Sequence, residues 1–309
     1  MRPLVHAILR KTLRHLPQGV LNELVGMRHT LANHLPKGTA IRWRYYLGDL
    51  SVLIEVGNPI EWTMLNGEYE EDVSRVVADF VKPGSHCIDV GANVGSITLL
   101  LAKQVGAAGR VAAVEPGPPY RDRLEANLAL NPRLRDRVVV IAAGMSNRDG
   151  TLDWQADPNA PFNACLHDIK PWGRTGSVVP VPVTTLDALA GSLAWPKVDF
   201  IKIDVEGMEW EVLQGGRDLL ARRRPIVLFE AMECFRAYRR AVSGLDVFEE
   251  ITSFLADLDY LTYLPPRTQK KLVDQSSDQL PNVAAIPAGT PVPAGYRAVR
   301  LISPTTASR

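Results

Sequence analysis

The residues of this 309-residue chain whose types and spacing could do chemistry fall in three places. The first is Cys87-Ile88-Asp89-Val90-Gly91-Ala92-Asn93-Val94-Gly95, a glycine loop between an apolar run and a helical pattern. Gly91 permits a tight turn, and Gly95 a close approach of backbone to a ligand. The spacing is G-x-x-x-G, which is neither the dinucleotide fingerprint nor a P-loop ending in Gly-Lys-Ser/Thr. With no phosphate signature, and with Asp89 ahead of the first glycine, the loop suits a ligand that carries positive charge. The second place is Glu115, twenty residues beyond Gly95 at the end of the next apolar run. An acid there can accept both hydroxyls of a ribose. The competing structural reading is that the two glycines only ease strand–helix packing and that Glu115 is a solvated turn acid.

A ribose and a cationic group together point to S-adenosylmethionine, with its ammonium and its sulfonium. The third place then gains a purpose. Lys202-Ile203-Asp204-Val205-Glu206-Gly207 and Val227-Leu228-Phe229-Glu230 each end an apolar run in acids. Such acids repel one another unless protonated, paired with a base such as Lys202, or bridged by a metal. Crowding raises at least one pKa, as a general base requires. Asp204 is the candidate base or acceptor anchor, with Glu206 and Glu230 assisting. Against this, Glu206 and Glu209 could simply favour the start of a helix. Mg²⁺ on these carboxylates stays open, and the reading adopted has no metal ligands. His167, in an irregular segment with Asn163 and Trp172, is a second candidate base, ranked below its reading as a surface residue. His86 precedes its strand and reads as structural. Tyr120 and Arg121 either cover an adenosine or begin a helix.

These residues must be positioned by alternating strands and helices. His86–Val90, Arg110–Glu115, Arg137–Ala142, Val198–Asp204 and Pro225–Glu230 read as strands, with Tyr260–Leu264 and Asn282–Ile286 closing the series. Residues 68–81, 96–105, 119–130, 209–222 and 246–258 carry helical periodicity. Nearly continuous apolar strands in such a series imply a parallel sheet covered on both faces, with ligands beyond the strands' carboxyl ends. Trp43–Leu47 and Leu50–Val56 around Gly48-Asp49 read as a hairpin. The expected organisation is a basic helical extension over 1–44, the hairpin over 45–66 and a main domain over 67–303. The proline-rich 147–197 is expected to form an acceptor-side insertion.

With 46% apolar and 22% charged residues, the chain can bury a large core. Its 35 basic and 34 acidic residues argue against a protein basic throughout, so nucleic acid is not an expected partner. The balance hides an asymmetry. Residues 1–44 hold eight Lys or Arg and one acid, +7, leaving 27 basic against 33 acidic residues, −6, in the rest. Leu4, Val5, Ile8, Leu9, Leu13 and Leu16 share one helical face there. That face packs on the main domain in the preferred reading, and lies on an anionic membrane or docks on a partner protein in the others. Arg10, Lys11 and Arg14 interrupt any signal-peptide core. No run reaches the length of a membrane span, and three scattered cysteines make no disulfide framework. A cytoplasmic protein, with peripheral membrane contact left open, is the expectation.

Seven stretches resemble the FkbM family of S-adenosylmethionine-dependent methyltransferases. They are Gly67-Glu68-Tyr69-Glu70, Ile88–Gly95, Glu115-Pro116, Asn127-Leu128-Ala129-Leu130-Asn131, Val183-Thr184-Thr185-Leu186-Asp187, Ile201–Gly207 and Ile226–Glu230, within residues 67–287. The resemblance implies a class I methyltransferase, a doubly wound Rossmann-like α/β fold. Its seven-stranded sheet is mostly parallel, with the last strand antiparallel. It implies methyl transfer to a hydroxyl of a sugar, glycan or secondary metabolite. It also implies cofactor contacts from Asp89, Gly91, Asn93, Gly95 and Glu115, and from Gly144 and Met145 after the third strand. Met145 departs from the small or polar residue common there. The rival readings are a nicotinamide oxidoreductase, which the missing middle glycine disfavours, and a non-catalytic cofactor-binding scaffold, which would not need the acids near Asp204.

Overall fold

A computed structural model describes residues 39–45, 48–54, 70–156, 164–166, 178–266 and 282–299. Strands β1 (Thr39–Tyr45) and β2 (Gly48–Ile54) pair antiparallel as the expected hairpin. The turn differs, because Tyr45 pairs with Gly48, so Gly48-Asp49 lies in the second strand and the first begins inside the presumed helical extension. The helix expected over residues 4–16 lies outside the described residues.

Next come α1 (Glu71–Phe80), β3 (His86–Val90), α2 (Ser96–Gln104), β4 (Arg110–Val114), α3 (Pro118–Ala129), α4 (Pro132–Arg135) and β5 (Val138–Ile141). The run Ile97–Ala102 is buried on every side, so α2 is a core helix rather than a surface one. Then β6 (Gly144–Met145), β7 (Gly150–Ala156), β8 (Ala164–Leu166) and β9 (Val178–Thr184) form a separate four-stranded sheet ordered β6-β9-β7-β8. Only β9 stands out in the sequence, as the β-like run Val178–Thr185, with prolines at 180 and 182 inside it, whereas β6 is two residues long.

The chain continues through α5 (Leu186–Ser192), β10 (Phe200–Ile203), α6 (Glu209–Gln214), α7 (Arg217–Arg223) and β11 (Ile226–Glu230). The single helix expected over 209–222 is two. Gly215 sits so close to the Ser146 carbonyl that a Cβ would lie 2.2 Å from that oxygen. Asp187 then caps a fresh start, its carboxylate accepting from the backbone N–H of Asp218 (3.1 Å) and Leu219 (2.7 Å). Finally come α8 (Glu233–Ser243), α9 (Val247–Asp257), β12 (Tyr260–Leu264), β13 (Asn282–Pro287) and β14 (Arg297–Ala298).

The large sheet is ordered β14-β12-β13-β11-β10-β3-β4-β5. It has eight strands rather than seven, β14 being a two-residue edge addition. β13 runs antiparallel to both neighbours, while β5, β4, β3, β10 and β11 are parallel. Alternate residues face two cores. Cys87, Val111, Phe200 and Leu228 share one with α1, α2 and α3, whereas Ile88, Val114, Ile203 and Phe229 share the other with α5, α7 and α9. Strand order reverses between β3 and β10, both outward from this pair, which marks their carboxyl ends as the place for a ligand.

Candidate active site

The sheet's register lays the site out along one line. Ile141, Val114, Val90, Ile203 and Phe229 are aligned partners across five parallel strands. The residues that follow them are Ala142, Glu115, Gly91, Asp204 and Glu230. Three acids and a glycine therefore leave the sheet side by side, with the glycine between Glu115 and Asp204.

Gly91 adopts φ +77, and a Cβ on it would stand 1.8 Å from the Asp204 carbonyl oxygen. Only glycine lets the two loops touch. Gly95, at φ +86, is closed instead by helix packing, since its Cβ would meet Leu124 Cδ1 at 2.3 Å. Close approach to a ligand is thus not what demands either glycine. Glu115 is 5% exposed and clamps the glycine loop to its own. Its carboxylate accepts from the N–H of Asn93 (2.9 Å) and of Gly117 (2.7 Å). Burial pushes its pKa up to about 7, against the opposing pull of those two hydrogen bonds. Asn93 is left-handed at φ +51, and its side-chain oxygen accepts from Val94 N–H. Arg121 donates to the carbonyls of Glu115 and Pro116, and Tyr120 packs edge-on against Trp154 of β7. Both thus shape the turn after β4. Trp154 and Gly117 are also in contact range, so the described part of 147–197 packs beside Glu115.

On the other side of Gly91 the chemistry changes. Asp89 is fully buried, and the cation it faces is Lys202, its partner across the β3–β10 register, at 3.7 Å. Thr98 donates to its other oxygen at 2.6 Å. Burial raises the Asp89 pKa, while Lys202 and Thr98 oppose the rise. Asp89, expected to meet a ligand's charge, is thus held at full burial between Lys202 and Thr98. The Lys202 ammonium also pairs with Asp204 at 3.0 Å, and Asp204 keeps 24% of its side chain exposed.

Glu206 is left-handed at φ +57 and is followed by Gly207 at φ +101. This bend is held by Glu209, which accepts from the N–H of Val205 (3.1 Å) and Gly207 (3.3 Å) and whose pKa burial pushes up to about 7. Glu209 is therefore structural, as its alternative reading had it. Glu206 and Glu230 are raised well above the carboxylate range, first by burial and then by Asp204 and by each other or Glu209. One Glu230 oxygen is buried with no hydrogen-bond partner. Beside Glu230 a small pocket of about 20 Å³ opens between Phe235, Arg236, Arg239 and Phe248. Among the described residues no group of three or more His, Cys, Asp or Glu is arranged to hold a metal ion.

Two expected cofactor contacts, Gly144 and Met145, form β6. Met145 is 1% exposed within the core shared by Val114 and Leu186, because β6 pairs with β9 and turns it inward. Gly144 is its buried neighbour in that strand. The surface after β5 belongs to Ala142 instead. His86 is structural as expected, its N–H donating to Asp199 and its ring on Trp195. His167, Asn163 and Trp172 lie outside the described residues.

Asn127 is the functional residue whose part the sequence did not disclose. Fully buried, it accepts from Leu53 N–H (2.7 Å) and donates to the Val94 carbonyl (2.7 Å), tying β2 to the glycine loop. Asn131 makes a matching pair with Ser51, accepting at 3.1 Å and donating at 2.6 Å. Asn127 on α3 and Asn131 just past its end, four residues apart, are the signal that could have found them.

The fold is a class I α/β methyltransferase architecture, and the acid row at its carboxyl edge is the candidate site. The family model described as Methyltransferase FkbM domain matches residues 89–262, and the chain belongs to that family. It is similar to the methyltransferase sdnD of Sordaria araneosa, 33% identical over 155 residues, 41% of this chain and 59% of that protein. It is also similar to the hexuronic acid methyltransferase AglP of Haloferax volcanii, 28% identical over 154 residues, 50% of this chain and 59% of that protein. The chain thus spans about three-fifths of the length of these relatives. A solved methyltransferase FkbM from Methylobacillus flagellatus is similar at 17% identity and TM-score 0.43, covering 73% of this chain and 52% of that one.

Proposed function

We propose that this chain is an S-adenosylmethionine-dependent O-methyltransferase acting on a hydroxyl of a sugar, glycan or secondary metabolite. The observation that carries the reading is the aligned row Glu115, Gly91, Asp204 and Glu230 at the point where strand order reverses. The residues fit the cofactor. A carboxylate has about four lone-pair positions, so the two N–H groups on Glu115 leave room for a ribose's two hydroxyls. Acids beside Gly91 offer the charge a sulfonium and an ammonium prefer. When bound, S-adenosylmethionine supplies an electrophilic methyl group with a good leaving group.

The chain's own residues do the rest. Asp204, partly exposed and held by Lys202, accepts the acceptor hydroxyl's proton. Glu206 and Glu230, whose raised pKa values favour the neutral form, donate hydrogen bonds that orient the acceptor oxygen. Relatives named for methylating hexuronic acid and for 2-O-methylation support a hydroxyl acceptor on a sugar. The +7 of residues 1–44 supports contact with an anionic membrane surface, tested by co-sedimentation with anionic and neutral vesicles.

Calorimetry with S-adenosylmethionine and mass spectrometry of a hydroxyl-acceptor panel test the reading. Cofactor binding and a fourteen-dalton gain are expected, and Asp204→Ala should keep the first and lose the second. Absence of cofactor binding, or an Asp204→Ala variant with full turnover, would refute it.

A further inference from the structure

A second cleft lies on the same edge, outside the acid row. It opens, with a volume of about 130 Å³, between Asp72 of α1, Leu264, Pro265 and Pro266 after β12, Asn282 of β13 and Arg297 of β14. Its place follows from register. Asn282 is the antiparallel partner of Glu230, so the cleft begins one strand beyond Glu230 and two beyond Asp204. At ~4.8 Å per strand, that is about 10 Å from the base.

The cleft is preorganised. Asp72 accepts from Val73 N–H (3.0 Å) and from the Asn282 side-chain amide (3.0 Å). The closing segment is pinned by the Tyr296 hydroxyl donating to Asp79 (3.1 Å), by the Phe80–Tyr296 ring contact and by Val299 N–H donating to the Thr262 carbonyl (2.8 Å). A carboxylate, a carboxamide and a guanidinium offer donors and acceptors without net charge. The prolines and Leu264 supply an apolar wall. A ring with hydroxyl edges and C–H faces matches that set, whereas a purely apolar or highly charged group does not.

We propose that this cleft is a subsite for a second, uncharged, hydroxyl-bearing ring of the acceptor, so that the chain acts on an oligosaccharide or glycoside in preference to a free monosaccharide. The inference rests on the sugar-acceptor reading above. Saturation-transfer NMR tests it on the full chain holding S-adenosylhomocysteine, with a panel of neutral disaccharides and their monosaccharides. Disaccharides should bind at least ~10-fold tighter than their monosaccharides, the contribution of one or two hydrogen bonds to charged or amide groups. Asn282→Ala and Arg297→Ala should each shrink that gap while leaving S-adenosylhomocysteine affinity unchanged. Arg297 is exposed at the rim, so its variant guards against a folding defect in the other. A gap that survives both substitutions, or no gap in the unaltered chain, overturns the subsite while leaving monosaccharide binding intact. Sugars of neither size binding, with S-adenosylhomocysteine still bound, overturns the sugar-acceptor reading and the subsite with it.

Discussion

The two halves of the carboxyl edge use the same residue types to opposite ends. Toward β4, Glu115 and Asn93 are satisfied by neighbouring backbone, and the carboxylate works as a clamp between loops. Toward β11, Glu206 and Glu230 crowd Asp204, one oxygen of Glu230 has no partner, and Glu206 holds a left-handed backbone. Satisfied polar groups rigidify a site, and unsatisfied ones are held at a cost that only reactivity or ligand binding offsets. Lys202 joins the halves, one ammonium between buried Asp89 and partly exposed Asp204.

Breaking the reactive half should have the largest effect. Asp204→Asn is expected to lower kcat by roughly 10²–10⁴-fold with cofactor affinity unchanged, measured by single-turnover methylation and calorimetry. Breaking the link comes next. Lys202→Met leaves Asp89 buried without its cation and should cost ~3–5 kcal/mol in denaturant unfolding. The loss should be greater at high pH, because loss of the ammonium raises the Asp89 pKa further and its proton relieves the charge at low pH. A loss independent of pH would mean that packing, not charge, is what Lys202 supplies. The glycines give a sharper contrast. Gly91→Ala and Gly95→Ala share the strain of a positive φ, about 1–2 kcal/mol. Only the former meets backbone, so its unfolding midpoint should fall well below that of the latter, where Leu124 can give way.

How much of this was legible follows the same division. β3, β4, β10 and β11 read cleanly because parallel strands buried on both faces are continuous apolar runs, and their ends carried the acids with them. α8 did not show, since Phe235 is its only buried residue and three arginines dominate its pattern. The break between α6 and α7 depends on Ser146 and Asp187, both distant in sequence. The burial of Met145 was not legible for a similar reason, because it depends on β6 pairing with β9. Nor was the Asp89–Lys202 pair, because the register that puts them side by side is not written in either segment alone.

The smallest effect tests the clamp. Glu115 has its pKa raised from 4.5 to about 7 by burial, so the folded chain holds its proton where the unfolded chain has lost it. Its contribution to stability is therefore full below about pH 4.5 and is lost as pH rises through about 7. Ribose hydroxyls donate to the ionised form, so cofactor affinity should rise with pH over the same window and level off above it. Stability of the free chain and affinity for its ligand then move in opposite directions. Glu115→Gln should remove the slope in affinity and weaken binding by ~10-fold at pH 8, while matching the unaltered chain near pH 5. It should remove only part of the slope in stability, because Glu209 also titrates near 7 from its place under the Glu206 bend. Calorimetry and thermal unfolding across pH 5–8 separate the two. An affinity slope that persists in Glu115→Gln would move the titrating group across Gly91 to the acids around Asp204.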